Sequence, residues 1–181
     1  MLPSQHLAHK YPNLFNEVAW GPIRARFGLL KEEPPAHLIA NVNVVPRAGH
    51  DWVMIRLQNG AWEIPGGTLE PGETYLDTLV RELKEEVGAH LCSFQVMGAW
   101  RCHSSAAEPY RPHLPFPDFY RVVGIGQVEL DGSPENPAGA EQVLKVECVT
   151  IETVVERFTS SGRYDLAELY HLASRILSNG L

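Results

Sequence analysis

Residues Gly67 to Ala89 read GTLEPGETYLDTLVRELKEEVGA, a glycine-bounded loop running into a helix that carries a crowded row of carboxylates. Thr74 is placed to cap the helix with Asp77 three residues on, and Gly88 tolerates a left-handed ending, so the helix is predicted from about Tyr75 to Val87. Leu76, Leu79, Leu83 and Val87, joined by Val80, fall at i, i+3, i+4, i+7 spacing, the pattern of one apolar face packed on a core. At roughly 100° per residue, Glu82, Glu85 and Glu86 project into one arc, expected on the side away from that face.

Like charges three and four residues apart destabilise a helix by a few tenths of a kcal/mol per pair, and only Arg81 and Lys84 offset them locally. A hard divalent ion with oxygen ligands, Mg²⁺ first and Mn²⁺ as a substitute, suits three carboxylates with no His or Cys at ligand spacing. A solvated acidic helix face is the alternative. The loop ahead weighs against it: Pro65-Gly66-Gly67 and Glu70-Pro71-Gly72-Glu73 form a tight entry that brings main-chain groups near a ligand.

On these residues the stretch resembles the Nudix (MutT-like) hydrolase family. Gly67, Glu73, Arg81, Glu82, Leu83, Glu85, Glu86 and Gly88 match its signature, and only Ala89 departs, small where a larger aliphatic is usual. Trp62-Glu63-Ile64-Pro65-Gly66 also looks like the strand end that precedes the signature; elsewhere the match is one of element order. The resemblance implies an α/β fold, a Nudix-type α/β/α sandwich with a mixed central sheet. It also implies metal-dependent hydrolysis of a diphosphate linkage in a nucleoside diphosphate joined to another group, with water as nucleophile. By resemblance Glu82, Glu85 and Glu86 are the metal ligands, and Glu82, Arg81 and Glu85 the catalytic set. Gly67 and Glu73 support them, Arg81 through a pair with Glu73 that is otherwise a plain loop-to-helix salt bridge. Glu82 is the first candidate for the base and Glu141, in a loop before a strand, the second; a solvent-exposed Glu is the other reading of Glu141. Two rivals are a regulatory domain that binds a nucleotide without turnover, disfavoured because every signature carboxylate is present, and an isoprenoid diphosphate isomerase, to whose extra Cys and Glu nothing here clearly corresponds. Which substrate is accepted depends on pocket loops that the signature does not include.

A length of 181 residues with 44% hydrophobic content suits one domain with a sizeable core. The net charge of −7 excludes a basic nucleic-acid groove and favours metal ions between the protein and a polyanionic substrate. Cys92, Cys102 and Cys148 have neither the count nor the spacing of a disulfide framework or zinc ribbon, and neither a leader-like start nor a membrane-length apolar run is present; the reading is a cytoplasmic protein.

In chain order, residues 1–37 read as an extension, either an accessory strand and short helix packed on the core or an arm of a homodimer, and residues 38–181 as the hydrolase domain. Strands are predicted at Leu38–Val45, Trp52–Leu57, Ala61–Ile64, Phe94–Trp100, Phe119–Val128 and Val143–Thr150, with a two-residue turn at Asn59-Gly60. Pro109, Pro112, Pro115 and Pro117 make a stiff loop whose His103, Tyr110, Arg111, His113 and Phe116 are candidates for gripping a base or sugar. Ile151, Val154, Val155 and Phe158, then Leu166, Leu169, Tyr170, Ala173 and Leu177, mark two packing helices.

Overall fold

Apolar and β-branched residues along 39–45 and 52–57, buried almost without interruption, build the centre of one mixed sheet. The structure, a computed structural model, describes residues 3–179. Helices α1 (Pro3–Lys10) and α2 (Pro12–Phe15) lead into β1 (Val18–Trp20) and β2 (Ile23–Leu29). After a 3₁₀ turn at Ala36–Leu38 come β3 (Ile39–Ala48), β4 (Asp51–Leu57), β5 (Trp62–Glu63) and β6 (Gly66–Thr68). Helix α3 (Tyr75–Glu82) continues as a π turn (Leu83–Val87) into β7 (Ala89–Ser104), β8 (Asp118–Leu130), β9 (Val143–Val149), α4 (Ile151–Ser160) and α5 (Tyr164–Asn179).

The strands order as β1-β2-β7-β8-β3-β4-β5, with β6 on β3 and β9 on β4. Strands β3 and β8 run parallel and the other pairs antiparallel, which makes the sheet mixed as expected. On one face Leu79, Leu83 and Val87 pack on Val42, Val44, Val53, Ile55 and Val128. On the other, Phe158, Leu169 and Tyr170 cover Val45, Trp52, Met54 and Val123, and the Tyr170 hydroxyl donates to the Val53 carbonyl at 2.8 Å. The sheet is thus sandwiched between helices. Of the N-terminal residues, Leu14 and Phe15 join the second core, the Leu14 N–H donates to Glu168 at 2.8 Å, and β2 pairs with β7.

Several expectations are corrected. Leu76 and Val80 are 44% and 52% exposed, and Leu177 is 43% exposed. On α3 the buried arc runs instead through Thr78, Leu79, Leu83 and Val87, because the helix is rotated to press its glutamate edge against β6. The turn at Asn59-Gly60 takes three residues: the Leu57 N–H donates to the Ala61 carbonyl, and Gly60 adopts φ 87°, the left-handed place such a loop requires. Strands β7 and β8 outrun their predicted ends, since each completes the other's ladder from Ala89↔Leu130 to His103↔Asp118.

Candidate active site

The loop and helix are fastened at the entry by reciprocal caps. The Asp77 N–H donates to Thr74 Oγ1 at 3.2 Å and the Thr74 N–H to Asp77 Oδ2 at 2.9 Å, satisfying two groups that a helix start leaves open. At the other end the π turn closes on Gly88, whose φ of 68° favours glycine; a Cβ there would lie 2.6 Å from the Ser133 backbone. The Asn136 N–H reaches the Glu85 carbonyl at 3.2 Å, and the Asp131 and Gly132 N–H groups both reach the Gly88 carbonyl at 3.1 Å. The 131–142 loop is thereby pinned beside the acidic row.

Arg81 organises that row. Its Nε and Nη2 donate to the two oxygens of Glu73 at 2.8 and 3.2 Å, a bidentate fork. Nη1 donates to Glu82 Oε1 at 2.8 Å and to Glu85 Oε2 at 3.3 Å, and Nη2 also reaches the Thr68 carbonyl at 3.3 Å. Glu73 further accepts from the Thr78 hydroxyl at 2.8 Å and the Glu70 N–H at 2.9 Å. The Arg81 bonds above all hold its carboxyl down at about 2. This carboxylate stays charged, and with Arg81 it ties loop to helix.

Glu86 is the contrast. Its Oε2 accepts from the Gly66 N–H at 2.9 Å, but no cationic side chain pairs with it among the described residues. Burial pushes its carboxyl up to about 8, against the Gly66 bond and reinforced by the charges of Glu82, Glu141 and Glu85. Glu82 is raised too, by burial first, with Arg81 pulling the other way. Glu82 packs directly on Gly67: a Cβ there would stand 1.8 Å from its Oε1. Hence Gly67 leaves the room that the Glu82 carboxylate fills.

The structure therefore brings together Glu73, Arg81, Glu82, Glu85, Glu86 and Gly67. The expected placing of the glutamates opposite the apolar face is corrected: Glu82 and Glu86 flank the buried arc, which accounts for their desolvation. Glu141 is exposed on the 131–142 loop, and its charge reaches Glu86. In the proline loop His113 Nε2 bonds the Leu69 carbonyl at 2.8 Å, which ties that loop to the end of the glycine segment, while Tyr110 is 81% exposed. The Gly66 amide was visible in sequence only as a glycine beside the signature; its partner came from the fold.

Among the described residues no three His, Cys, Asp or Glu side chains form a ready-made metal cluster. The reason is geometric: Glu82 and Glu85 each lend an oxygen to Arg81, and Glu86 turns one to Gly66. In chemical kind the set fits a hard divalent ion, with three adjacent carboxylates, one of them part-buried, paired with no cationic side chain among the described residues and held above its ordinary range.

Comparison with known proteins bears on the family and the fold. The NUDIX domain family matches over residues 37–170. A MutT-like protein of Streptomyces ambofaciens is 36% identical over 69 residues, 38% of this chain and 45% of that one. An RNA pyrophosphohydrolase of Ruthia magnifica is 31% identical over 98 residues, 50% of each. The chain spans half or less of the length of the curated relatives it matches. A Bacillus subtilis pyrophosphohydrolase crystal structure superposes with a TM-score of 0.53 at 18% identity, covering 68% of this chain and 71% of that one, a likeness of fold.

Proposed function

We propose, from the premise that this chain belongs to the Nudix family, that it is a pyrophosphohydrolase that cleaves a diphosphate linkage in a nucleoside diphosphate joined to another group. The observation that carries this reading is the row of Glu82, Glu85 and Glu86 set against the Gly66-Gly67 strand and ordered by Arg81. Relatives named for pyrophosphate chemistry support it.

Glu82, Glu85 and Glu86 would hold Mg²⁺, with Mn²⁺ as a substitute. Such an ion neutralises phosphate oxygens and lowers the pKa of water. The rest falls to the chain's own groups. Arg81, anchored by Glu73, fixes Glu82 through Oε1 and leaves Oε2 to take a proton. In the reaction a water oxygen bonds to phosphorus, the bridging P–O bond breaks, the water proton passes to Glu82 Oε2, and the bridging oxygen leaves with the departing phosphate. Burial keeps Glu82 more basic than an ordinary carboxylate, which suits that role. Three unpaired thiols, two of them exposed, fit a reducing cytoplasm.

A phosphate-release screen with Mg²⁺ or Mn²⁺ over dinucleotide polyphosphates, nucleotide sugars, ADP-ribose, coenzyme A and nucleoside triphosphates tests the proposal. Turnover of at least one class is expected, abolished by chelator and lowered at least about a hundredfold by Glu82→Gln, the loss of a positioned base. Turnover of none, or turnover indifferent to both changes, refutes it.

A further inference from the structure

Across the sheet from α3, on the face covered by α5, Arg121 stands in register with Asn41, which is in turn in register with Thr68. Its Nε donates to Asn41 Oδ1 at 3.3 Å, and its guanidinium carbon lies 4.8 Å from the centre of the Trp20 ring. A guanidinium offers five N–H donors. Here one bond to a neutral amide and one aromatic face are all that the described residues supply.

Among the described residues no carboxylate pairs with Arg121. Glu63, whose charge reaches it, is already in an ion pair with Arg163, which also binds Asp165. Burial moves the Arg121 guanidinium below its ordinary range, so the charge sits in a setting that costs free energy until an anion meets it. The side chain is nonetheless only part-buried. Among the described residues the only sealed, unpartnered side-chain nitrogen or oxygen is Arg47 Nε, so Nη1 and Nη2 of Arg121, which carry no hydrogen bond there, are not fully sealed. Asn41 Nδ2, on a residue 8% exposed, is likewise without a bond among the described residues and not fully sealed. Nη1, Nη2 and Asn41 Nδ2 thus keep donors to spare, and the guanidinium lies over the Trp20 ring.

We propose that Arg121 and Asn41, backed by Trp20, form an oxyanion-binding site for a phosphate or carboxylate group, on the opposite face of the sheet from Glu82. The planar fork matches two oxygens of one such group, and Asn41 Nδ2 supplies a third bond. The strands β8 and β6 lie two strand spacings apart, on the order of 10 Å. The anion is thus either a distal group of an elongated substrate or a separate ligand.

The test uses inorganic pyrophosphate with the metal-free protein in chelator, where the acidic row repels an anion, and reads tryptophan fluorescence and titration calorimetry. Wild type binds, Arg121→Gln binds at least tenfold more weakly, and Arg121→Lys, which keeps charge but loses the fork, falls between. Melting of Arg121→Gln in chelator stays level or rises, because an uncompensated charge has gone; a purely structural arginine would show a fall. Absence of binding by the wild type at millimolar pyrophosphate, equal binding by Arg121→Gln, or binding that follows Glu86→Gln instead overturns the proposal. These readings do not require turnover, so they stand whether or not hydrolysis is found. With an accepted substrate, a KM raised at least tenfold at little-changed kcat assigns the anion to the substrate, and an unchanged KM assigns it to a separate ligand.

Discussion

Replacing Glu86 by Gln should stabilise the metal-free protein in a pH-dependent way. The carboxyl has an ordinary value of 4.5 and stands at about 8 in the fold. Below pH 4.5 it is protonated in both folded and unfolded chains and adds no pH dependence. Between 4.5 and 8 the unfolded chain has lost the proton and the folded chain keeps it, so stability is lost with rising pH, by about 1.4 kcal/mol per unit. By pH 7 the loss is on the order of 3 kcal/mol, and it levels off above about 8. At roughly 2–4 °C per kcal/mol for a chain of this size, that is about 6–12 °C in melting temperature. Gln keeps an oxygen for the Gly66 N–H and carries no charge, so it escapes the loss. Glu73, held at about 2, contributes stability that is full above 4.5 and vanishes as pH falls toward 2, outside this window. Thermal melts of both proteins in chelator from pH 4.5 to 8.5 should therefore coincide at the acid end and diverge upward, with the variant higher. An ion bound only by the folded state adds about 2.7 kcal/mol at a hundredfold excess over Kd, and the variant should forfeit most of that gain. A melting difference independent of pH, or equal metal-induced shifts in the two proteins, would refute the reasoning.

Gly67→Ala places a Cβ 1.8 Å from Glu82 Oε1, so the carboxylate must move; kcat on an accepted substrate should fall at least tenfold while circular dichroism stays native, and a kcat within twofold would contradict the packing argument. Glu141→Gln should leave kcat within about tenfold if Glu82 is the base, and a greater loss at unchanged metal affinity would move that role to Glu141.

Much of this protein is legible before folding. Thr74, Asp77 and Gly88 set the helix ends because caps and a left-handed stop act over three or four residues, and partial alternation along 38–45 marks a strand because side chains alternate across a sheet. The carboxylate row is legible for the same local reason: Glu82, Glu85 and Glu86 are helical neighbours wherever the helix lies. Rotation of that helix is another matter. Leu76 and Val80 are as apolar as Leu79, yet contact with the Gly66-Gly67 strand turns them to solvent and draws Glu82 and Glu86 inward. The raised carboxyl of Glu86 and the unpaired fork of Arg121 depend on which strands become neighbours, β6 on β3 and β8 on β3, and on what burial then removes from water. Desolvation is a property of packed surroundings from distant parts of the chain, so only the tertiary structure decided it.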